Sequence, residues 1–231
     1  MAIKGVLFDF SGTLFRIEPA ESWLRTSLAR LGITVPEPEL ARWAARLEDA
    51  GALPGGSSPR ELPPRLAGLW AERDRTADRH RELYTELARE AGLPWPEAYE
   101  VLYDRHMEPD AWIPYPDAAE VLGALRERGT AVAVVSNIGW DLRPVFRGHG
   151  LDRFVDAYAL SYEHGVQKPE AGLFEAACAA LGTEPGETLM VGDDARADGG
   201  ATALGCSLEL VRHLPAAERP DELRPVLARL D

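Results

Sequence analysis

The chain has 231 residues, of which 45% are hydrophobic, enough to bury a substantial core in one large domain or in one domain carrying an insertion. Its formal charge of -13 argues against nucleic acid or anionic membrane as a partner, because a phosphate-backbone binder needs a basic face. No stretch approaches the roughly 18 apolar residues of a membrane span, and the first residues lack a charged-then-apolar secretory segment, so the expected compartment is the cytoplasm.

The first element is the apolar run "IKGVLFDF", of buried-strand type, which ends at Ser11-Gly12. From about Phe15 to Asp110 strand signals are lacking. The segments "ESWLRTSLARLG", "PELARWAARLEDAG", "RLAGLWAERDRTADRHRELYTELAREAG" and "WPEAYEVLYDRH" place apolar residues three and four apart, which predicts four or five helices, with "LPGGSSPRELPP" as a loop between two of them. Trp23, Trp43 and Trp70 fall on helix faces and are expected to pack there.

From Trp112 onward strands and helices alternate. The expected strands are "AVAVVSN", "AYALS", "TLMVGDD" and "CSLELV", and the expected helices are "DAAEVLGALRERG", "DLRPVFRGHG", "PEAGLFEAACAALG", "GGATALG" and a closing "ELRPVLARL". Continuous Val, Leu and Ala in these strands predict burial on both faces, as in a parallel sheet covered by helices. The fold class is therefore α/β, Rossmann-like, with residues 1–14 and 111–231 as the core domain and an all-helical domain inserted at 15–110. Cys178 and Cys206, the only cysteines, lack metal-ligand spacing and read as buried thiols.

In an open parallel sheet the carboxyl ends of the strands line the ligand crevice. Asp9, Ser136 with Asn137, and Asp193 with Asp194 stand at three such ends, and Lys168 follows a fourth strand just before a helix. Only two of the 25 basic residues are lysines, Lys4 and Lys168, and Asn137 is the only asparagine. A chain that uses Arg for nearly every cation keeps Lys where a compact ammonium is needed. Carboxylates converging with a lysine suit Mg²⁺, which takes one or two carboxylates together with water and phosphate oxygens. Ser136, Asn137 and Lys168 would then cradle a phosphate, so the expected ligand is a small phosphorylated metabolite.

These residues form four ordered motifs, "DFSGTL", "VVSN", "KP" and "VGDDARAD", and with them the chain resembles the haloacid dehalogenase superfamily of hydrolases. The resemblance implies that Asp9 is a nucleophile that becomes a phospho-aspartate, and that residues 15–110 are a helical cap closing over the site. It also implies that Asp9, the Ser11 carbonyl and Asp193 bind the metal, with Asp194 or Asp198 in support. Ser136 and Asn137 would hold phosphoryl oxygens, Lys168 would stabilise Asp9 and the transferring group, and Gly12 and Thr13 would shape the turn beside the substrate.

The chain departs from the family pattern at Ser11, where most phosphatases of the family carry an acid that protonates the leaving oxygen. A serine hydroxyl cannot do this at neutral pH, although the carbonyl can still hold a metal, so the change spares binding and bears on turnover. Three alternatives follow. Phosphonate-cleaving relatives need a cap lysine, and the insertion has none. Dehalogenating relatives attack carbon, release halide without an acid and need no metal, but "GDDARAD" carries more acid than they require. The third is a phosphate-binding protein with little turnover. Trp140, which follows "SNIG", and His164 and Glu163, which precede Lys168, lie close in sequence to the phosphate-binding residues.

Overall fold

The structure, a computed structural model, describes residues 2–230. Its strands are β1 (Gly5–Phe8), β2 (Phe15–Ile17), β3 (Trp112–Pro114), β4 (Ala131–Ser136), β5 (Ala157–Leu160), β6 (Thr188–Gly192) and β7 (Ser207–Leu210). The α-helices are α1 (Ala20–Arg30), α2 (Glu37–Asp49), α3 (Ala67–Ala71), α4 (Ala77–Glu90), α5 (Ala98–Arg105), α6 (Ala118–Glu127), α7 (Arg143–Gly148), α8 (Ser161–His164), α9 (Ala171–Leu181) and α10 (Pro225–Ala228). Five strands make one parallel sheet in the order β5-β4-β1-β6-β7, so the architecture is α/β and Rossmann-like. No helix among the described residues is long and apolar enough to cross a membrane.

Alternation along the strands gives each sheet face its own core. Val6 and Phe8 of β1 join Val132, Val134, Leu189 and Val191 in a cluster that takes in Val121, Leu122 and Leu125 of α6. Leu7, between them, joins Ala133, Val135 and Met190 in a second cluster with Leu173, Phe174 and Ala177 of α9. Both faces are thus dry, which is why these strands read as unbroken apolar runs. Because the strands are parallel, their polar ends all emerge on one edge: the Asp9 N–H extends the ladder by one bond to the Val191 carbonyl, 2.9 Å away, and leaves the Asp9 side chain at the rim.

Four elements differ from expectation. Phe15–Ile17 is a strand, not the start of the helical segment, and pairs antiparallel with Trp112–Pro114, so a two-stranded ribbon joins the chain entering the helices to the chain leaving them. The run 65–92 breaks at Thr76, whose hydroxyl accepts from the Arg79 N–H at 3.3 Å and caps α4. Residues 199–205, expected as a helix, fall instead on a tighter 3₁₀ turn over Asp198–Leu204 that ends at Gly205. The closing helix shortens to Pro225–Ala228, because Pro225 lacks the N–H needed to continue a helix through it and starts one instead.

The ribbon and the C-terminal stretch both anchor the turn after β1. A buried ion pair from Arg105 Nε to Glu18 Oε1, 2.6 Å long, ties α5 to the residue after β2. Arg219 is fully buried, donates to the Gly12 carbonyl at 2.6 Å and to the Thr13 carbonyl, and lies 3.2 Å over the Tyr115 ring. Arg219→Ala leaves two carbonyls of the turn after Asp9 without their donor, so a loss of about 3 kcal/mol of unfolding free energy is expected in urea titration. A loss below about 0.5 kcal/mol would show that solvent serves those carbonyls equally well.

Candidate active site

Most of the expected residues meet in a cavity of about 210 Å³ at the carboxyl edge of the sheet. Asp9, Ser11, Ser136, Asn137, Lys168, Asp193, Asp194 and Asp198 all line it. The opposite wall comes from the helical segment between β2 and β3: Leu53 to Ser58 of the loop after α2, then Trp70, Arg73, Asp74, His80 and Tyr84.

Lys168 is the hub. Its buried ammonium lies 2.7 Å from Asp9 Oδ1 and 2.6 Å from Asp198 Oδ1. Burial alone would lower this lysine, but Asp198 and Asp9 outweigh it and hold it above the usual lysine range. Asn137 positions the lysine from behind: its Oδ1 accepts from the Lys168 N–H at 2.6 Å and its Nδ2 donates to the Lys168 carbonyl at 2.9 Å. The amide expected to hold a phosphoryl oxygen is therefore committed to the Lys168 backbone, while the buried Ser136 hydroxyl stands in the cavity wall.

The carboxylates crowd each other. Oxygens of Asp9, Asp193 and Asp198 lie within 4.8 Å of one another. Burial raises the Asp9 carboxyl well above its ordinary range; Lys168 opposes this, and repulsion from Asp198 and Asp193 adds to it. Asp193 would also be raised by burial, but His213, with Nδ1 2.5 Å from Oδ2, brings it below the usual value. Three acids against one ammonium leave excess negative charge in a small volume, and an all-oxygen donor set of this kind fits a hard divalent cation.

The geometry separates Asp194 from Asp198. Asp198 is fully buried, shared between Lys168 and the Asp194 N–H at 3.0 Å. Asp194 is exposed, stands outside the cluster, and accepts from the N–H groups of Arg196 and Ala197 at 2.8 and 3.0 Å, so it shapes the turn. Thr13 and Gly12, expected beside the substrate, are absent from the cavity wall. The Thr13 hydroxyl instead donates to Asp193 Oδ1 at 3.3 Å. Trp140 is buried against Phe10 and His106 and lies outside the wall, as do His164, which is exposed, and Glu163, which pairs with Arg143.

Five residues escape a reading of the motifs. His213 follows β7 at the same rim, and a strand-end rule applied to every strand would have flagged it. Trp70, expected only to pack, faces the cavity with Arg73 stacked 4.1 Å over its ring. Arg73 and Asp74 sit in the charge-rich "ERDRTADRH", which reads as a solvated face. Arg219 lies in "AAERPDE", which carries no signal of burial. Ser11 turns its hydroxyl toward the Gly55 carbonyl, 3.4 Å away, where Arg16 also donates at 2.7 Å; the two hold the loop onto the rim.

The chain matches the haloacid dehalogenase-like hydrolase family over residues 3–203, and it belongs to that family. It is 37% identical over 105 residues to a ribulose-1,5-bisphosphate 5-phosphatase of Halopiger xanaduensis, covering 45% of this chain and 43% of that protein. It is 37% identical over 93 residues to (S)-2-haloacid dehalogenase 4A of Burkholderia cepacia, covering 39% and 40%. The chain thus spans less than half the length of these curated relatives. Among solved structures, a phosphatase of the family from Thermococcus onnurineus aligns over 91% of this chain and 86% of its own with a TM-score of 0.58 at 26% identity.

Gly12 is where the turn depends on glycine. Its φ is +87°, and a Cβ there would lie 2.3 Å from His213 Nδ1 and 2.4 Å from Asp193 Oδ2. Gly12→Ala is expected to cost about 1–2 kcal/mol in thermal unfolding from the backbone alone, and to lower hydrolytic activity at least tenfold, about 1.4 kcal/mol in the barrier, by displacing Asp193. Unchanged activity in a folded variant would show that the Asp193 position is immaterial.

Proposed function

We propose that the protein is a Mg²⁺-dependent phosphatase of small phosphorylated metabolites, acting through a phospho-aspartate on Asp9 in the cytoplasm. The observation that supports this above all is the cluster of Asp9, Asp193 and Asp198, because displacement at carbon gains nothing from two further carboxylates, whereas a phosphoryl group held through a cation does. Asp9 and Asp193 would hold the metal with the Ser11 carbonyl, and Asp198 would support them through Lys168. When bound, the ion offsets the charge on the acids and on the phosphoryl oxygens.

The chain's own groups do the rest. One Asp9 oxygen is held by Lys168, and the other attacks phosphorus. The Lys168 ammonium and the Ser136 hydroxyl stand where charge collects on the transferring oxygens. The same Lys168 is anchored by Asp198, so the ammonium stays in place as Asp9 becomes an acyl phosphate and loses its carboxylate charge. Residues 15–110 serve as the cap, with the loop at Leu53 to Ser58 and the face at Trp70 to Tyr84 closing on the leaving group and excluding water. A cavity of about 210 Å³ suits a phosphate ester of a compact metabolite.

A second reading, 2-haloacid dehalogenase, draws on the dehalogenase relative and on Ser11, since halide departs without a proton. Chelation distinguishes the two. Excess chelator, or Asp193→Asn, is expected to lower phosphate-ester hydrolysis by at least about 10²-fold, with Mg²⁺ restoring the chelated wild type. Undiminished turnover of a 2-haloacid in chelator, without phosphatase activity in Mg²⁺, would establish the dehalogenase.

A further inference from the structure

A phosphate ester of an ordinary alcohol leaves as an alkoxide unless a proton reaches it, and the Ser11 hydroxyl cannot supply one. Other groups in the cavity wall are committed. Asp9 is the nucleophile, Asp193 and Asp198 complete the acidic cluster, and Asp194 holds its own turn. His213 gives its Nδ1 to Asp193. His80 is kept neutral by burial, with His106 and Arg73 adding to the effect, and burial pushes the Tyr84 phenol up. Asp74 is the remaining acid of the wall.

Asp74 is also the acid that the fold delivers to the phosphate end. It belongs to the turn Arg73–Arg75 between α3 and α4, and that turn is docked on two of the site's own segments. The Ser161 hydroxyl donates to the Asp74 carbonyl at 2.5 Å and accepts from the Ile138 N–H at 2.9 Å, so one side chain bridges Asp74 to the residue two places beyond Ser136. On the other side, Arg75 donates to the Gly165 carbonyl at 2.9 Å and pairs with Glu170 at 2.6 Å, while Gln167 donates to the Ala71 carbonyl at 2.7 Å. These contacts fasten the turn to the loop that carries Lys168. The Asp74 side chain itself is only 5% exposed. Arg73 Nε lies 3.4 Å from Oδ2 but is misaligned for a hydrogen bond, and His80 Nε2 lies 3.9 Å from Oδ1.

We propose that Asp74 is the general acid and base of this site, supplied across the cavity in place of the acid that position 11 lacks. The proposal rests on the phosphatase reading. In the first step an Asp9 oxygen bonds to phosphorus, the bond from phosphorus to the leaving oxygen breaks with its electron pair on that oxygen, and the Asp74 carboxyl gives it a proton. In the second, water attacks phosphorus while the Asp74 carboxylate takes one of its protons. The bond to Asp9 then breaks, returning its carboxylate and freeing phosphate, and Asp74 is again protonated.

The groups facing Asp74 fit this cycle. Burial raises its carboxyl, with Arg73 and Lys168 opposing. His80, Tyr84 and Tyr103, the other titratable groups around it, add no charge near neutral pH. An arriving phosphate dianion raises the carboxyl further. Acid function needs the protonated form, so alkyl transfer is present below the Asp74 pKa and falls as pH rises through it.

The test is single-turnover release of the alcohol in Mg²⁺, with glycerol phosphate and 4-nitrophenyl phosphate, in wild type and Asp74→Asn. A nitrophenolate leaves without help. The variant is expected to lose about 10² to 10⁴-fold with the alkyl ester and less than about tenfold with the aryl ester, and to lose the alkaline fall in the alkyl rate. Asp74→Glu should recover part of the alkyl rate. Equal losses with both esters, or an undiminished alkyl rate, in a variant with the wild-type melting temperature would overturn the assignment. A wild type that never phosphorylates Asp9 with either ester would instead overturn the phosphatase reading beneath it.

Discussion

The ammonium of Lys168 between Asp9 and Asp198 is the interaction on which the site depends. Buried carboxylates repel and resist ionisation, and a lone buried carboxylate is no nucleophile if it is protonated. Lys168 opposes that effect at Asp9 and fixes one of its oxygens, but one ammonium cannot neutralise three acids. The remaining imbalance is the physical demand that a cation and a phosphoryl group would meet.

That arrangement constrains the chain far from it. Asp9, Asn137, Lys168 and Asp198 come from four separate stretches, and a parallel sheet brings them together because every strand delivers its carboxyl end to the same edge. Supporting contacts come from farther away: Asn137 clamps the Lys168 backbone, and Arg219, near the end of the chain, holds the turn that follows Asp9. The helical segment adds the opposite wall, and Ser11 points at its loop rather than at the acidic cluster's partners. Position 11 is thus given to holding the loop closed over the rim.

The sheet was legible in the sequence because strands buried on both faces are unbroken apolar runs, as "VLF", "VAVV" and "TLMV" are. The rim residues were legible because polar groups at the ends of such runs have one place to go. Phe15–Ile17 was not legible: three residues form a strand only because a partner at Trp112–Pro114 returns to meet them. Asp74 was hidden for a similar reason. "RDRTADR" has the composition of a solvated face, and its burial depends on Ser161, Arg75 and Gln167 docking the turn onto distant segments. Asn137 shows the converse, since its place in the motif is plain but its amide serves the lysine backbone.

The central claim is that Asp9 carries the phosphoryl group in mid-reaction. Rapid acid quench of the wild type with a ³²P-labelled phosphate ester and Mg²⁺, followed by peptide mapping, measures it directly. The account predicts label on the peptide containing Asp9, removable by hydroxylamine as an acyl phosphate is, and absent from Asp9→Asn. Turnover of the ester with no labelled peptide at any quench time, or label that persists in Asp9→Asn, would contradict it.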